Sequence, residues 1–488
     1  MTGHELKIDT PTTGFSLPSP IRWLLLIVAL AVVGVAGDLL FVEKPLYGFV
    51  MLAAVAGAFL IPFPRVAFFV FLTSITFYLP TRLGSLFALH PFDLLMAVLF
   101  MGMVLDFFLH GYTEIRSAFF DTPFIIFIIA TIISALFAYN IDYSIVPMVR
   151  VIVIYLAFRA VFKFSQEFGV RKVLLFYIYV VFAHSIYNTI LFILSGGHDR
   201  VFGFCSLGYE PMSMTALPMA LVFLIWSDRT RDQIKFGTIA FIIGTGIIST
   251  QSRAPLLAVL MTLPVLVYFG IKKARRENTS QPLRTMKKIF VPIGILVLIG
   301  AIAAGTYLAG ALGRYEHFIE SFSNPQGTIA LRFVLWKTAI RTFLDHPITG
   351  IGIGNFRIVY LIYPELKVVP LYVYVQGMSA HNVILHYLAE TGLVGSIALL
   401  VLAFKGFATC FRAQKEKLDR EGNQVSMALF IAMFVFCMTI FYMRAWTWGQ
   451  DGYIMAMIFG LTAGWVYERR KRENDSTGHK TGPGSSVN

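Results

Sequence analysis

Stretches of about 20 apolar residues recur along almost the whole chain, parted by short segments that collect the Lys, Arg, Gly and Pro residues. A hydrocarbon core of about 30 Å leaves no water for backbone N–H and C=O groups, so such stretches cross it as helices that close their own hydrogen bonds. Candidate spans lie near 21–41, 46–62, 66–80, 92–109, 123–139, 145–162, 173–194, 212–227, 236–250, 254–271, 289–309, 382–404, 425–443 and 450–467. The pattern predicts an all-α polytopic membrane protein of about 12–14 transmembrane helices. Losing the two shortest stretches as a pair, near 66–80 and 236–250, gives the lower count and leaves both chain ends on the same side. Composition agrees: only 14% of residues are charged, against about 25% in soluble domains, and the mean hydropathy is +0.73.

A net charge of +13 suggests nucleic acid only when the charge gathers on one folded surface. Here Lys and Arg collect in alternate loops, among them "KKARRENTSQPLRTMKK" (272–288), "KGFATCFRAQKEKLDR" (405–420) and the tail "ERRKRE". That is the positive-inside pattern, it sets both ends in the cytoplasm, and it leaves no nucleic-acid partner. The first apolar run lacks a small-residue cleavage site and reads as an uncleaved span. The expected organisation is a cytoplasmic tail over 1–20, a transmembrane bundle of about 11 spans over 21–309, and an external loop over 310–380. C-terminal transmembrane helices over 381–467 and a cytoplasmic tail over 468–488 follow. Cys205, Cys410 and Cys437 are scattered, with no spacing that holds zinc or a redox disulfide.

The loop of some 70 residues is too long for a passive turn, which points to function. Within it "TIALRFVLWKTAIRTFLDHPITGIGIGNF" reads as an amphipathic helix with Leu331, Leu335, Ile340 and Leu344 near one face, stopped by His346-Pro347 and a glycine-rich turn. The preceding "ALGRYEHFIESF" reads as a short helix on the membrane surface. "GIGIGNF" lacks the flanking strand and helix of a dinucleotide loop, and no P-loop, HExxH, DxD or GxSxG appears.

Few polar residues remain to carry chemistry. Arg253 stands at a tight external turn, "STQSRAPLL", where a guanidinium either binds anions or snorkels to headgroups. Arg332 and Trp336 share a helix face, which suits anion binding and simple cation–π packing equally. Arg150 falls about a turn and a half inside its span, where a lone charge costs several kcal/mol and calls for a partner or a wet cavity. Arg159, about half a helical revolution away, is expected to reach the cytoplasmic surface instead. His381 opens the helix "HNVILHYLAETGLVG" with Ser379 as its expected cap, a position that suits a polar end residue or a base. His386 is too far round the helix to form a zinc platform with it. Glu390 is a carboxylate deep enough to need a partner, and Gly392 and Gly395 permit close helix packing.

Taken together, "TQSRAP", the Arg332–Phe356 segment and "HNVILHYLAETGLVG" resemble the O-antigen ligase and polymerase superfamily, membrane glycosyltransferases that use undecaprenyl-diphosphate-linked sugars. The similarity runs from about Gln251 to Gly395, under a third of the chain. It rests on Arg253 at the turn, Arg332/Trp336 as R-x3-W, Pro347/Gly350/Gly352/Gly354, His381/Asn382/Leu385, and Glu390/Gly392/Gly395. The stretch "DRVFGFCSLGYEPMSMTALPMAL", which includes Arg200, is similar to the family's Gly-Pro segment but carries Glu210-Pro211 where ligases often show Asn. That departure inclines the reading toward a polymerase.

The resemblance implies an inner-membrane enzyme with its site at the periplasmic face. Its donor is a glycan on undecaprenyl diphosphate, and its acceptor is a glycan or lipid A core. Membrane lipids, a chain-length regulator and a flippase are the further partners it implies, and it calls for no cofactor and no metal. Guanidinium groups suit phosphate oxygens, so Arg253 and Arg332 are the diphosphate candidates, with Arg150 assisting. A neutral imidazole suits removal of the acceptor hydroxyl proton, which gives His381 the catalytic role and an inverting displacement as its outcome. Trp336, Asn382, Glu390 and Arg200 are supporting candidates. A flippase or transporter is the alternative of another class, disfavoured because the polar residues gather at one face rather than at the midplane in repeats.

Overall fold

The computed structural model describes residues 57–76, 81–83, 87–89, 91–110, 118–196, 209–250, 252–276, 328–359, 379–414, 419–439 and 450–478, with a few isolated positions besides. The expected span near 21–41, most of that near 46–62, that near 289–309 and the segment "ALGRYEHFIESF" lie outside the described residues. Helices α1 (Pro64–Ser74), α2 (Pro91–His110), α3 (Asp121–Leu136), α4 (Ile141–Phe168) and α5 (Val170–Leu194) come first. They are followed by α6 (Tyr209–Ile225), α7 (Thr230–Ser249), α8 (Arg253–Arg276), α9 (Thr328–Asp345), α10 (Val383–Ala413), α11 (Arg420–Thr439) and α12 (Gln450–Gly478).

The all-α polytopic class holds. Five helices among the described residues are long and apolar enough to cross a membrane: Phe92–Leu109, α4, α5, α10 and α11. Pro64–Ser74, Asp121–Leu136, Tyr209–Ile225 and Leu257–Lys272 are shorter apolar helices at four more of the expected spans. One small departure is an antiparallel pair, β1 (Thr81–Leu83) against β2 (Phe87–Leu89), with Thr81 opposite Leu89. A Gly84-Ser85 turn signal between two short β-prone triplets allows it. Helix α12 runs to Gly478, well into the stretch read as a tail, and the Val170 N–H donates to the Glu468 carboxylate at 3.0 Å.

Two compact units divide the chain, residues 1–70 with 97–114, and residues 71–96 with 115–488. In the smaller one, Gly102 backs directly onto the Ile61 carbonyl. The larger unit holds every described candidate residue. There α6 is the central rod, with all residues from Tyr209 to Ile225 buried, and α5, α7, α8 and α11 pack around it. A helix apolar on all sides suits either a protein core or a membrane span, and the packing of its neighbours buries this one. Hydroxyl pairs bind the rods to one another: Ser185 with Tyr209 at 2.6 Å, Thr189 with Thr245 at 2.9 Å and Tyr177 with Thr215 at 2.8 Å. Such bonds are the usual glue where lipid removes the hydrophobic drive for helices to associate. Helix α12 lies along α4, and α10 lies between α3, α9 and α11.

Helix α9 confirms the expected amphipathic segment but not its expected face. Leu335 is buried, yet Ile340 and Leu344 are exposed, and Thr338, Ala339 and Thr342 take the inward positions. Thr338 and Thr342 donate to the carbonyls of Val334 and Thr338 at 2.8 Å each, so their hydroxyls enter the core with partners made inside the helix.

Candidate functional site

Chain geometry at the head of α10 sets the position of His381. Asn382 is the helix cap: its backbone is extended and its side chain accepts from the Leu385 N–H at 3.1 Å. Ser379, expected in that part, has another one, since its hydroxyl accepts from the His381 N–H at 3.1 Å. His381 itself has φ +49°, and no other non-glycine among the described residues has a positive φ. The left-handed region costs an L-residue of this kind roughly 1–3 kcal/mol and persists only where the surroundings enforce it.

The enforcing groups are visible at Ala380. Its carbonyl accepts the Trp336 indole N–H at 2.9 Å, and its own N–H donates to Nδ1 of His386 at 3.4 Å. Ala380 is fully buried, whereas His381 keeps partial exposure. Arg332 is exposed one turn before Trp336 on α9, which sets their Cβ atoms about 5–6 Å apart. Desolvation lowers the Arg332 pKa, but a guanidinium starts so high that it stays cationic at neutral pH. At its far end α9 is tied down by Tyr363, whose hydroxyl donates to Asp345 at 2.7 Å. Burial and that bond push the phenol pKa up to about 12.

Below His381, α10 breaks at Gly392, which has φ 61° and ψ −158°. A break frees backbone groups that cannot be left bare at membrane depth. The glycine-rich turn after α9 meets them: Ile351 N–H donates to Ala389 O and Gly352 N–H to Glu390 O, both at 3.0 Å, while Pro347 O accepts from Leu393 N–H at 2.8 Å. The Ser134 hydroxyl on α3 adds a 2.7 Å bond to Glu390 O. Gly350 has φ 68°, and a Cβ there would lie 2.3 Å from the Glu390 carbonyl, so the turn fits only without a side chain. Glu390 is wholly buried, accepts the Phe356 N–H at 3.0 Å, and faces His386 Nε2 at 3.3 Å. The carboxylate that the sequence left in search of a partner is thus part of the joint between loop and helix.

The structure therefore ties Trp336 to the peptide that leads into His381 and Asn382, links Glu390 to the Ala380 N–H by way of His386, and places Arg332 on the same α9 that carries Trp336. Arg150 has an acidic neighbour, Asp93, at 3.7 Å, and the Tyr453 hydroxyl donates to that same carboxylate at 2.5 Å. Arg159 is held by Asp121 at 2.6 Å instead of reaching past the protein surface. Arg253 begins α8, its side chain lies outside the described positions, and so does Arg200. Sequence reasoning set His386 aside because it was tested only as a metal ligand. Its signal was its place one turn before Glu390, where i and i+4 side chains meet.

Fold and site together define a multi-pass membrane protein whose long interhelical loop is locked onto a broken helix, with one strained histidine at the mouth of that joint. Residues 238–400, about a third of the chain, match the family described as O-antigen ligase, which supports a likeness to the O-antigen ligase/polymerase superfamily. That match supports a glycosyltransferase-type membrane enzyme of surface polysaccharide assembly, a family that implies lipid-linked glycan donors and glycan acceptors. The match contains Arg253, Arg332, Trp336, the glycine turn, His381 and Glu390. No curated protein matches the chain.

Proposed function

We propose that the protein transfers a glycan from undecaprenyl diphosphate to an acceptor sugar hydroxyl at the periplasmic face of the inner membrane, as a polymerase of O-antigen or exopolysaccharide repeats. One observation carries the reading: an imidazole is held at φ +49° above a rigid joint, on the same peptide that is anchored by the helix bearing Arg332. Strained residues gather at functional sites because packing holds them in the working geometry.

His381 acts as the general base. A sugar hydroxyl is a poor nucleophile, and a neutral imidazole suits removal of its proton. The acceptor oxygen bonds to the anomeric carbon as the carbon–oxygen bond to the diphosphate breaks, so attack from the opposite side inverts the configuration. Arg253 and Arg332 hold the departing diphosphate, whose charge they neutralise without protonating it. Arg150 and Arg200 assist at longer range, Trp336 and Asn382 position the histidine, and Glu390 holds the joint. This chemistry calls for no metal.

The test uses the full-length protein in detergent, with carrier-linked glycan extracted from cells lacking the gene. His381→Ala and Arg332→Ala are expected to lower glycan transfer by about 100-fold or more, the scale of a lost general base or phosphate clamp. Unchanged transfer in His381→Ala discredits the base assignment. Retention of anomeric configuration in the product removes direct displacement. A second reading, ligation of finished chains to lipid A core, is favoured by the description of the matching family. Cells lacking the protein separate the two: single-repeat products mark a polymerase, and long lipid-linked chains left unattached mark a ligase.

A further inference from the structure

We propose that His386 is a positioning residue for His381, acting through the Ala380 peptide, and that Glu390 keeps it in the one tautomer that can do so. The inference rests on the base role assigned above to His381.

His386 is fully buried, one turn before Glu390 on α10, and its ring stands edge-on to Phe356 with centroids 5.2 Å apart. A neutral imidazole carries one proton on two nitrogens, and the partners decide which. Nδ1 receives the Ala380 N–H at 3.4 Å and must therefore be the bare nitrogen. Nε2 then carries the hydrogen and lies 3.3 Å from Glu390 Oε2, an electrostatic contact that favours a proton on that nitrogen without hydrogen-bond alignment. The carboxylate cannot swing to another partner freely, because its other oxygen accepts the Phe356 N–H at 3.0 Å. A chain of contacts thus runs from the Phe356 N–H through Glu390 and His386 to the N–H of Ala380, the residue just before His381.

Ala380 is gripped through both of the peptide units that flank its Cα. Trp336 on α9 donates to the Ala380 carbonyl at 2.9 Å while His386 on α10 accepts from the Ala380 N–H. The two grips hold the peptide planes on either side of the Ala380 Cα, and Ser379 accepts the His381 N–H, which shares its plane with the Ala380 carbonyl. With its flanking backbone fixed, His381 has little choice but the strained left-handed well that directs its imidazole. Relaxing either grip lets the backbone fall to an ordinary φ, which swings the side chain away without removing it. Misplacing a catalytic group by about 1 Å can cost about 100-fold in rate.

Two near-isosteric replacements divide the roles of the imidazole. Asn places an oxygen near the position of Nδ1, so His386→Asn keeps an acceptor for Ala380 but does not reach Glu390. Gln places its amide near Nε2, so His386→Gln keeps a donor for Glu390 but loses the Ala380 acceptor. With the extracted carrier-linked glycan as donor, His386→Gln is expected to lose about tenfold or more in kcat at a KM within twofold of the parent. His386→Asn is expected to stay within about threefold in kcat. Equal losses in the two, or a larger loss in Asn, overturn the proposal in favour of packing around Glu390. Should either variant fail to fold in a thermal melt, Trp336→Phe keeps one aromatic ring while removing the pyrrole ring with its N–H, and unchanged kcat there also overturns it. The base role is judged separately: active His381→Ala sinks that assignment, whereas inactive His381→Ala beside fully active His386→Gln sinks positioning alone.

Discussion

At the scale of single residues, the partly buried pairs Arg150–Asp93 and Arg159–Asp121 join helices of the larger unit. Arg150 faces Asp93 across 3.7 Å, with side-chain exposures of 15% and 11%. Removing one charge of a well-buried pair costs roughly 3–5 kcal/mol, and the remaining exposure here brings the figure below that. Asp93→Asn, which leaves an acceptor for the Tyr453 hydroxyl, is expected to lower the melting temperature in detergent, and Asp93→Asn with Arg150→Met to recover most of it. Activity of the recovered double variant then reports on Arg150: normal transfer assigns it to the scaffold, and a raised KM assigns it to the donor. The sequence located the problem, a guanidinium too deep to be alone, but not its solution. Asp93 lies 57 positions away, and nothing in either local stretch ties the two together. His381 was legible because a histidine before a capped apolar helix is conspicuous, whereas its φ of +49° was not, and the indole that bonds the Ala380 carbonyl beside it stands 44 positions away.

Among the elements, the joint between the glycine turn and the break in α10 is the feature with the sharpest consequence. Gly392 occupies a region of φ and ψ that costs a residue with a Cβ roughly 1–3 kcal/mol, and a Cβ there would also lie 2.2 Å from the Ile348 carbonyl. Gly169, between α4 and α5, shares a positive φ of 87° but has open space around it. Gly392→Ala is therefore expected to lower thermal stability well beyond Gly169→Ala, and to lower transfer because the turn can no longer seat; equal effects of the two would mean that the close approach carries no weight. Sequence reading assigned Gly392 to helix packing and the Gly350 to Gly354 run to a chain stop. Both assignments held the right residues apart, because periodicity describes a helix as continuous and is blind to a partner that supplies the hydrogen bonds of a break.

For the whole molecule, charge asymmetry sets an orientation that accessibility can test. In a background with Cys205, Cys410 and Cys437 replaced by Ser, Lys337→Cys on α9 is expected to react with a membrane-impermeant maleimide added to intact spheroplasts, and Arg470→Cys on α12 only after lysis. The reverse pattern would turn the protein over and remove the periplasmic site. Element identity and membrane class were set by the sequence alone, because about 20 apolar residues in lipid have one way to satisfy their backbone, and that constraint is local. The candidate residues were named by the sequence too, since charge and imidazole are scarce in such a chain. Which of them meet was decided only in three dimensions. The Ala380 grip, the Glu390 joint and the Asp93–Arg150 pair each join stretches distant in sequence, and hydrogen bonds between distant segments are fixed by packing, which no local period records.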